Sequence, residues 1–131
     1  MLKENNNVQT KLMVLWIFVK LNVISADLLS FLQPGFLKEL TTSGTAEGLV
    51  ITPSFLVIAA VLLEINIVMI LVSKFVTRRI NRKLNMIAPI IVAAFIVGGG
   101  SLAPHYIFFA TIELIALFFI MKTAIQWKIE S

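Results

Sequence analysis

The sequence predicts an all-α fold, a four-helix transmembrane bundle, with a single membrane domain over residues 1–131. Of these residues, 59% are hydrophobic and only 14% are charged, whereas a soluble domain carries about 25% charged residues. Four apolar segments each approach the ~20 residues that a helix needs to cross a ~30 Å hydrocarbon core. The basic residues also concentrate on alternate connections between these segments, which is typical of membrane proteins.

The four spans are expected at about residues 12–32, 53–75, 84–101 and 104–126. Pro34-Gly35 ends the first span, because proline cannot continue the helical hydrogen-bond ladder. Thr52-Pro53 begins the second span, with threonine as the N-cap and proline at the first helical position. The third span is the shortest and has Pro89 near its start. The polar residues 1–10 are predicted to form a short disordered tail.

The distribution of basic residues predicts the orientation of the bundle. The segment 74–83, expected to be a loop, contains no acid and these bases: Lys74, Arg78, Arg79, Arg82 and Lys83. The long loop 33–52 has one base, Lys38, against Glu39 and Glu47. Because lysine and arginine concentrate on the cytoplasmic side, we expect both termini and the 74–83 loop in the cytoplasm (N-in/C-in). These bases then contact lipid headgroups, and no nucleic acid partner is predicted.

Four ionisable side chains lie inside the predicted spans: Lys20, Asp27, Glu64 and Glu113. An ionised group at the bilayer centre costs roughly 2.5–3.5 kcal/mol. These groups must therefore face one another, face a water-filled cavity or lose their charge. The helical rise per residue puts Lys20, Glu64 and Glu113 at one level near the midplane, with Asp27 nearer the outside. We expect Lys20 to form an ion pair with Glu64 or Glu113.

Two interpretations of these charges stay open. A buried ion pair or triad can simply fix the register of the helices. Intramembrane ionisable groups also mark binding sites and proton relays, and two acids against one base leave one carboxylate available for reversible protonation. The secondary polar candidates are Asn22, Asn66, His105 and Tyr106. The asparagines, including Asn85, are expected to form interhelical hydrogen bonds.

The residue types exclude several chemistries. The chain has no cysteine, which excludes disulfides, thiol catalysis and iron–sulfur ligation. A single histidine, His105, argues against a bis-histidine haem, and the acids lack the helical His/Glu spacing of a bundle metal site. We therefore predict no catalytic residue and no metal, and the sequence identifies no cofactor and no cofactor-binding residue. Trp16 and Trp127 are expected to anchor the bundle at the cytoplasmic interface.

Several segments resemble a group of small bacterial four-helix membrane proteins of unknown function. They are Leu15-Trp16-Ile17-Phe18, Ala26-Asp27, Pro34-Gly35-Phe36, Ile51-Thr52-Pro53, Leu63-Glu64-Ile65 and the stretch from Gly98-Gly99-Gly100-Ser101 through Glu113. More distantly, a glutamate in the second span before a basic inner loop is similar to DoxX-like proteins, some of which are linked to membrane redox complexes. The resemblance implies an integral protein of the bacterial cytoplasmic membrane and supplies no activity.

Three functions are compatible with these observations. The first is binding or transport of a small polar or cationic solute, or of protons, from the outer side. It assumes that the inner half of the bundle is apolar and that Glu64 and Glu113 face a cavity. Asp27, His105 and the 33–52 loop would roof this cavity. The loop is either a lid or a floppy connector. The second is an accessory or structural subunit of a larger membrane complex. The third is a quinone- or lipid-linked redox helper. Because four helices make a thin wall, a homo-oligomer or a larger membrane partner is expected.

Overall fold

The computed structural model describes residues 2–99 and 102–128, which form helices and one short β-hairpin. The elements within these ranges are α1 (Leu2–Phe31), α2 (Phe36–Ser43), β1 (Thr45–Ala46), β2 (Leu49–Val50), α3 (Pro53–Phe75), α4 (Arg78–Gly98) and α5 (Pro104–Gln126). Helices α1, α3, α4 and α5 are each long and apolar enough to cross a membrane. The predicted all-α fold with four transmembrane helices is therefore confirmed.

The four spanning helices pack as a ring. Helix α1 packs against α3 and α5, and α4 packs against the same two helices, so α1 and α4 lie on opposite sides. The centre of the ring contains the fully buried side chains of Leu12, Trp16, Val19 and Ile120. Residues 12, 16 and 19 recur at the four-then-three spacing that places side chains on one helical face. Leucine, isoleucine, valine and phenylalanine cover much of the outer surface, as contact with lipid requires.

The observed bounds of helices α3 and α5, 53–75 and 104–126, are those expected from the sequence, whereas the observed bounds of α4 differ from the expected ones. The Thr52 hydroxyl accepts a 3.0 Å hydrogen bond from the Phe55 N–H at the start of α3, as an N-cap residue does. Helix α4 begins at Arg78 rather than at residue 84, which places Pro89 well inside the helix. Hydropathy therefore located the apolar part of this helix but missed its first turns. It ends at Gly98, and residues 100 and 101 lie outside the described part.

The prediction of a disordered tail is wrong for residues 2–10, which continue α1. Lys74 Nζ donates hydrogen bonds to Asn6 Oδ1 and Thr10 Oγ1, both at 2.8 Å. Trp127 Nε1 donates to Asn5 Oδ1 at 3.1 Å. The polar residues of the tail thus bind α3 and the end of α5 instead of extending into solvent.

The basic segment 74–83 is also not a loop. Only Val76 and Thr77 separate α3 from α4, and the bases lie on the helical turns to either side. Arg82, within α4, donates to the backbone carbonyls of Ala124 and Ile125 at 2.9 and 3.2 Å. These are carbonyls of the last turn of α5, where the regular helical ladder ends; the Ala124 carbonyl also accepts a hydrogen bond from the Trp127 N–H at 3.2 Å. We call this side of the bundle, with the start of α1 and the end of α5, the basic end.

The opposite side, which we call the hairpin end, is covered by α2 and the β-hairpin. The two turn residues, Glu47 and Gly48, have positive φ angles of 52° and 84°, as a type I′ hairpin turn requires. The Glu39 carboxylate accepts hydrogen bonds from the Thr45 hydroxyl at 2.7 Å and from the Gly48 N–H at 3.0 Å. The segment 33–52 is therefore a folded cap, not a floppy connector.

Candidate ligand cavity at the hairpin end

A cavity of about 230 Å³ lies between the four spanning helices, towards the hairpin end. We call it the deep cavity. It reaches from Tyr106, two residues into α5, to Asn66, thirteen residues into α3, which is about 16 Å along the bundle at the helical rise. Most of the wall is apolar: Val23, Ala26, Phe55, Ala59, Leu62, Leu63, Val92, Phe95 and Ile96. The polar side chains that line it are Asp27, Asn66, Tyr106 and Glu113.

Glu113 contributes a buried carboxyl group to the deep cavity. Its side chain is 4% exposed because it lies on the face of α5 that also buries Ala116, Leu117 and Ile120, at the spacing of one helical face. Within the described part of the chain, this carboxyl group has neither a hydrogen bond nor an ion pair. Its charge interacts with that of Asp27, another residue of the cavity wall. An acidic group thus stands in an apolar environment without a compensating partner.

Asn66 and Tyr106 add further polar groups to the same wall. Asn66 is 3% exposed, and its Oδ1 is buried without a hydrogen-bond partner. The Tyr106 hydroxyl donates to the backbone carbonyl of Ile96 at 3.2 Å, so its oxygen can still accept a hydrogen bond. None of the described residues that line the cavity is basic. The cavity therefore offers acceptors and negative charge to whatever occupies it.

A second cavity, of about 330 Å³, lies under the β-hairpin. We call it the vestibule. Asp27, Phe55, Gly99 and Tyr106 line both the vestibule and the deep cavity, so the two adjoin. Glu47 of the hairpin turn lines the vestibule. Carboxyl groups therefore occur in the vestibule, at its boundary with the deep cavity and inside the deep cavity.

Residues 1–131 match one protein family along their whole length. The chain belongs to the DUF6326 family. This family is described as one of unknown function, so membership does not identify a ligand or an activity. No curated protein and no solved structure matches the chain. The chemistry of this DUF6326 member must therefore be argued from its own residues.

The other two predicted site residues of this DUF6326 member lie outside the deep cavity. Glu64 is exposed on the outer face of α3, and Lys20 is half-buried on α1. The predicted ion pair is wrong within one chain, because Lys20 forms no ion pair with Glu64, Glu113 or any other described carboxylate. These groups were expected to meet because they share a depth along the helices, but depth does not determine which way a helical residue faces.

The secondary candidates divide in a similar way. His105 Nε2 lies 3.0 Å from the Ser30 hydroxyl, a hydrogen bond that joins α5 to α1 at the hairpin end. Asn22 donates to the Phe18 carbonyl of its own helix at 2.8 Å, so the expected interhelical hydrogen bond is wrong there. Asn66 Oδ1 also lacks one. In contrast, Asn85 does bind another helix.

The interhelical hydrogen bonds of Asn85 belong to a buried network near the basic end that sequence reasoning missed. Asn85 Oδ1 accepts hydrogen bonds from Trp16 Nε1 at 2.7 Å and from the Ser73 hydroxyl at 3.3 Å. Its Nδ2 donates to Asn81 Oδ1 at 2.6 Å, and Asn81 Nδ2 donates to the Ser73 carbonyl at 2.8 Å. We call these four residues the asparagine network. The spacing of the two asparagines, four residues apart, was the available signal.

Two expectations about the basic end are therefore wrong. The inner half of the bundle is not uniformly apolar, because the asparagine network is buried there. Trp16 is 0% exposed and Trp127 is also buried, so neither is an exposed interfacial anchor. Each indole instead donates a hydrogen bond to an asparagine. Across the described ranges, no group of three or more histidine, aspartate or glutamate side chains is placed to hold a metal ion.

Proposed function

We propose that this protein binds a small organic cation in the deep cavity and admits it through the vestibule. The observation that carries the proposal is Glu113, a buried carboxyl group that has no hydrogen-bond partner among the described residues, in a cavity that no described basic residue lines. Burying a charge is costly unless it is paired and hydrogen-bonded. A cationic ligand supplies both the opposite charge and charge-assisted hydrogen bonds, which are stronger than neutral ones.

The lining of the cavity narrows the class of ligand. A primary ammonium group has three donors and no acceptor, which matches the carboxylate oxygens of Glu113 and Asp27 in the cavity wall. Most of the remaining wall is apolar and suits a hydrocarbon body. A volume of about 230 Å³ holds roughly seven water molecules at about 30 Å³ each. It is below the ~300 Å³ at which typical ligand pockets begin. A ligand of about seven non-hydrogen atoms therefore fits.

The proposal includes the N-in/C-in orientation in a bacterial cytoplasmic membrane, and the DoxX-like relationship remains part of it. The concentration of basic residues at one end supports this orientation, which turns the vestibule outward. Single cysteines at Thr42 and Thr77, both exposed, test it in a chain without native cysteine. An impermeant thiol reagent applied to intact cells is expected to label the Thr42→Cys variant and to spare Thr77→Cys. The reverse pattern contradicts the orientation.

Three probes of one shape and different charge test the ligand class. Cyclohexylammonium, cyclohexanol and cyclohexanecarboxylate are added to the protein in mild detergent, and binding is measured by calorimetry. We expect the cation to bind most tightly and the anion least. Glu113→Gln is expected to weaken cation binding at least tenfold, because a hydrogen bond to a charged group contributes about 1.5–3 kcal/mol. Glu4→Gln, an exposed carboxyl at the basic end, is the matched control and keeps full affinity.

Equal affinity for the three probes, or unchanged cation binding in Glu113→Gln, contradicts the proposal. If none of the probes binds and Glu113→Gln changes only thermal stability, the ionisable residues inside the spans serve only to pack the helices together. The function of the chain is then that of an accessory or structural subunit of a larger membrane complex.

A further inference from the structure

Glu64 places a carboxyl group on the outer face of α3, near the middle of that helix. It lies eleven residues from Pro53 in a 23-residue helix, about 16 Å from the hairpin end at the helical rise. Its side chain is exposed, and its described neighbours on the same face are apolar, among them Val61 and Leu71. Ionisable residues inside membranes almost always face a bundle interior or a partner, because contact with lipid is costly. Contact with lipid alone would therefore be unfavourable for the Glu64 carboxyl group on this face.

Lys20 lies on the adjacent helix at the same depth. It is eleven residues from Phe31, the last residue of α1, and therefore also about 16 Å from the hairpin end. Helices α1 and α3 pack against each other, and the Lys20 charge interacts electrostatically with Asp27 of its own helix and, more weakly, with Glu64, without an ion pair to either. The exposed residues beside Lys20 on α1, Leu21 and Ile24, are apolar. One apolar surface thus carries one positive and one negative group at one level.

We propose that two copies of this chain pair through the α1–α3 face, with Lys20 of each copy against Glu64 of the other. A chain inserted in one orientation can form a closed pair only about a two-fold axis along the membrane normal. Such an axis preserves depth, so a residue meets partners at its own level. It also makes the interface self-complementary, because both opposite charges lie on one surface at one level. In the dimer, Lys20 and Glu64 of each copy would both be paired, whereas neither forms an ion pair with a described residue of its own chain.

Charge reversal tests this arrangement and separates it from pairing within one chain. The protein is prepared in mild detergent and in lipid nanodiscs, and its mass is measured by light scattering. We expect the native chain to be a dimer and the variants Lys20→Glu and Glu64→Lys to be monomers. Each reversal is expected to raise the dissociation constant roughly tenfold or more, because close like charges oppose association. Lys122→Glu on α5 and Glu4→Lys near the start of α1 reverse exposed charges elsewhere and are expected to stay dimeric.

Mixing the two reversed chains is the decisive measurement. In a mixed pair, residue 20 of the first chain is glutamate and meets a lysine at position 64 of the second, while Glu64 of the first meets Lys20 of the second. Co-expressed chains with different tags are therefore expected to purify together as a heterodimer. Pairing within one chain predicts no such rescue, since each chain would keep its own two like charges. The double variant Lys20→Glu/Glu64→Lys restores pairing in either case and serves as the positive control.

Two further results overturn the inference: a native chain that is monomeric in nanodiscs, or single reversals that remain dimeric. If a reversed chain does not fold, the variants Lys20→Met and Glu64→Gln replace it. Folding is checked by the emission of the two buried tryptophans, Trp16 and Trp127. The inference is independent of the proposed ligand, because Glu113→Gln is expected to remain dimeric.

Discussion

Polar side chains are buried near both the basic end and the hairpin end, but the two ends differ in whether these side chains have hydrogen-bond partners. Near the basic end, Asn85 binds Trp16, Ser73 and Asn81. Towards the hairpin end, Asn66 Oδ1 has no hydrogen-bond partner, and the Glu113 carboxyl has none among the described residues. A satisfied buried network specifies one packing arrangement, whereas an unsatisfied polar group is costly. The difference separates residues that hold the bundle together from residues whose polar groups the proposed ligand would satisfy.

The asparagine network has a direct structural consequence. It joins α1 to α3 and α4, through Trp16, Ser73 and Asn85, so three of the four spanning helices share one set of hydrogen bonds. Arg82 links α4 to the last turn of α5. Hydrogen bonds thereby link all four spanning helices near the basic end. At the hairpin end, the helices separate enough to leave the deep cavity, and the cap of α2 and the β-hairpin covers it.

Replacing Asn85 by leucine is expected to have the largest effect on stability. The substitution removes the Asn85 partner of the buried Trp16 N–H, Asn81 Oδ1 and Ser73 hydroxyl, at a cost of about 1–3 kcal/mol for each group left unsatisfied. We expect the free energy of unfolding to fall by about 3 kcal/mol, measured by denaturant titration in mild detergent. Asn22→Leu is the control, because Asn22 binds only its own helix, and it is expected to change stability by less than about 1 kcal/mol. Equal effects of the two substitutions contradict the structural role of the network.

Replacing Glu113 by leucine is expected to change stability in the opposite direction. The substitution removes a buried polar group that has no partner within the described residues and substitutes an apolar side chain. Exchanging buried charges for hydrophobic residues is often stabilising by about 1–4 kcal/mol. We expect a gain of about 1–2 kcal/mol in the same titration, together with loss of cyclohexylammonium binding. A loss of stability comparable to that of Asn85→Leu would mean that Glu113 supports the fold, and the contrast between the two ends would fail.

The four helices could be predicted because the length of each apolar segment can be read from the sequence. The direction in which each polar residue faces could not be predicted. Glu64 and Asn66 are two residues apart and therefore about 200° apart around a helix, so at most one can face the bundle. The structure turns Asn66 inward and Glu64 outward. Hydropathy does not distinguish them, because both are polar. Lys20 illustrates the same point, since its expected partner was selected by depth alone.

The asparagine network was missed for a different reason. Asn81 lies among basic residues, before the apolar part of α4, and was therefore assigned to a loop. Helix α4 begins at Arg78, which puts Asn81 and Asn85 on one buried face at a spacing of four residues. A helix can extend beyond the part of it that spans the membrane, and apolar composition marks only the membrane-spanning part.

Filling the deep cavity is expected to affect binding more than stability. Ala59 lines the cavity, whereas the adjacent Ala60 is exposed and does not. Ala59→Leu adds three carbon atoms to the cavity and is expected to reduce cyclohexylammonium affinity at least tenfold. Unfolding free energy should rise by about 0.5–1 kcal/mol, the lower range for cavity-filling substitutions. Ala60→Leu adds the same atoms outside and is expected to change neither quantity. Cation binding that survives Ala59→Leu unchanged places the ligand elsewhere.

The smallest expected effect concerns the attachment of the β-hairpin to α2. Hydrogen bonds from the Gly48 N–H and the Thr45 hydroxyl lower the pKa of Glu39 below its ordinary value of 4.5, because they favour the ionised carboxylate. A group whose pKa is lower in the folded state stabilises that state above its unfolded pKa, and this contribution is lost as the pH falls through the folded pKa. The hairpin should therefore be held most firmly near neutral pH and loosen in acid below 4.5.

Amide hydrogen exchange of Gly48, corrected for the intrinsic rate at each pH, measures this loosening. We expect protection of this amide to decrease as the pH falls below 4.5 in the native chain, because the protonated acid is a weaker acceptor. Glu39→Gln keeps an acceptor but has no charge to lose, so its weaker protection should not depend on pH. Glu47→Gln alters the adjacent turn carboxyl, which makes no hydrogen bond to a described residue, and should reproduce the native profile. A pH-dependent loss that persists in Glu39→Gln would assign the titration to another group. The hairpin would then be held by its turn alone, and access to the vestibule would not respond to Glu39.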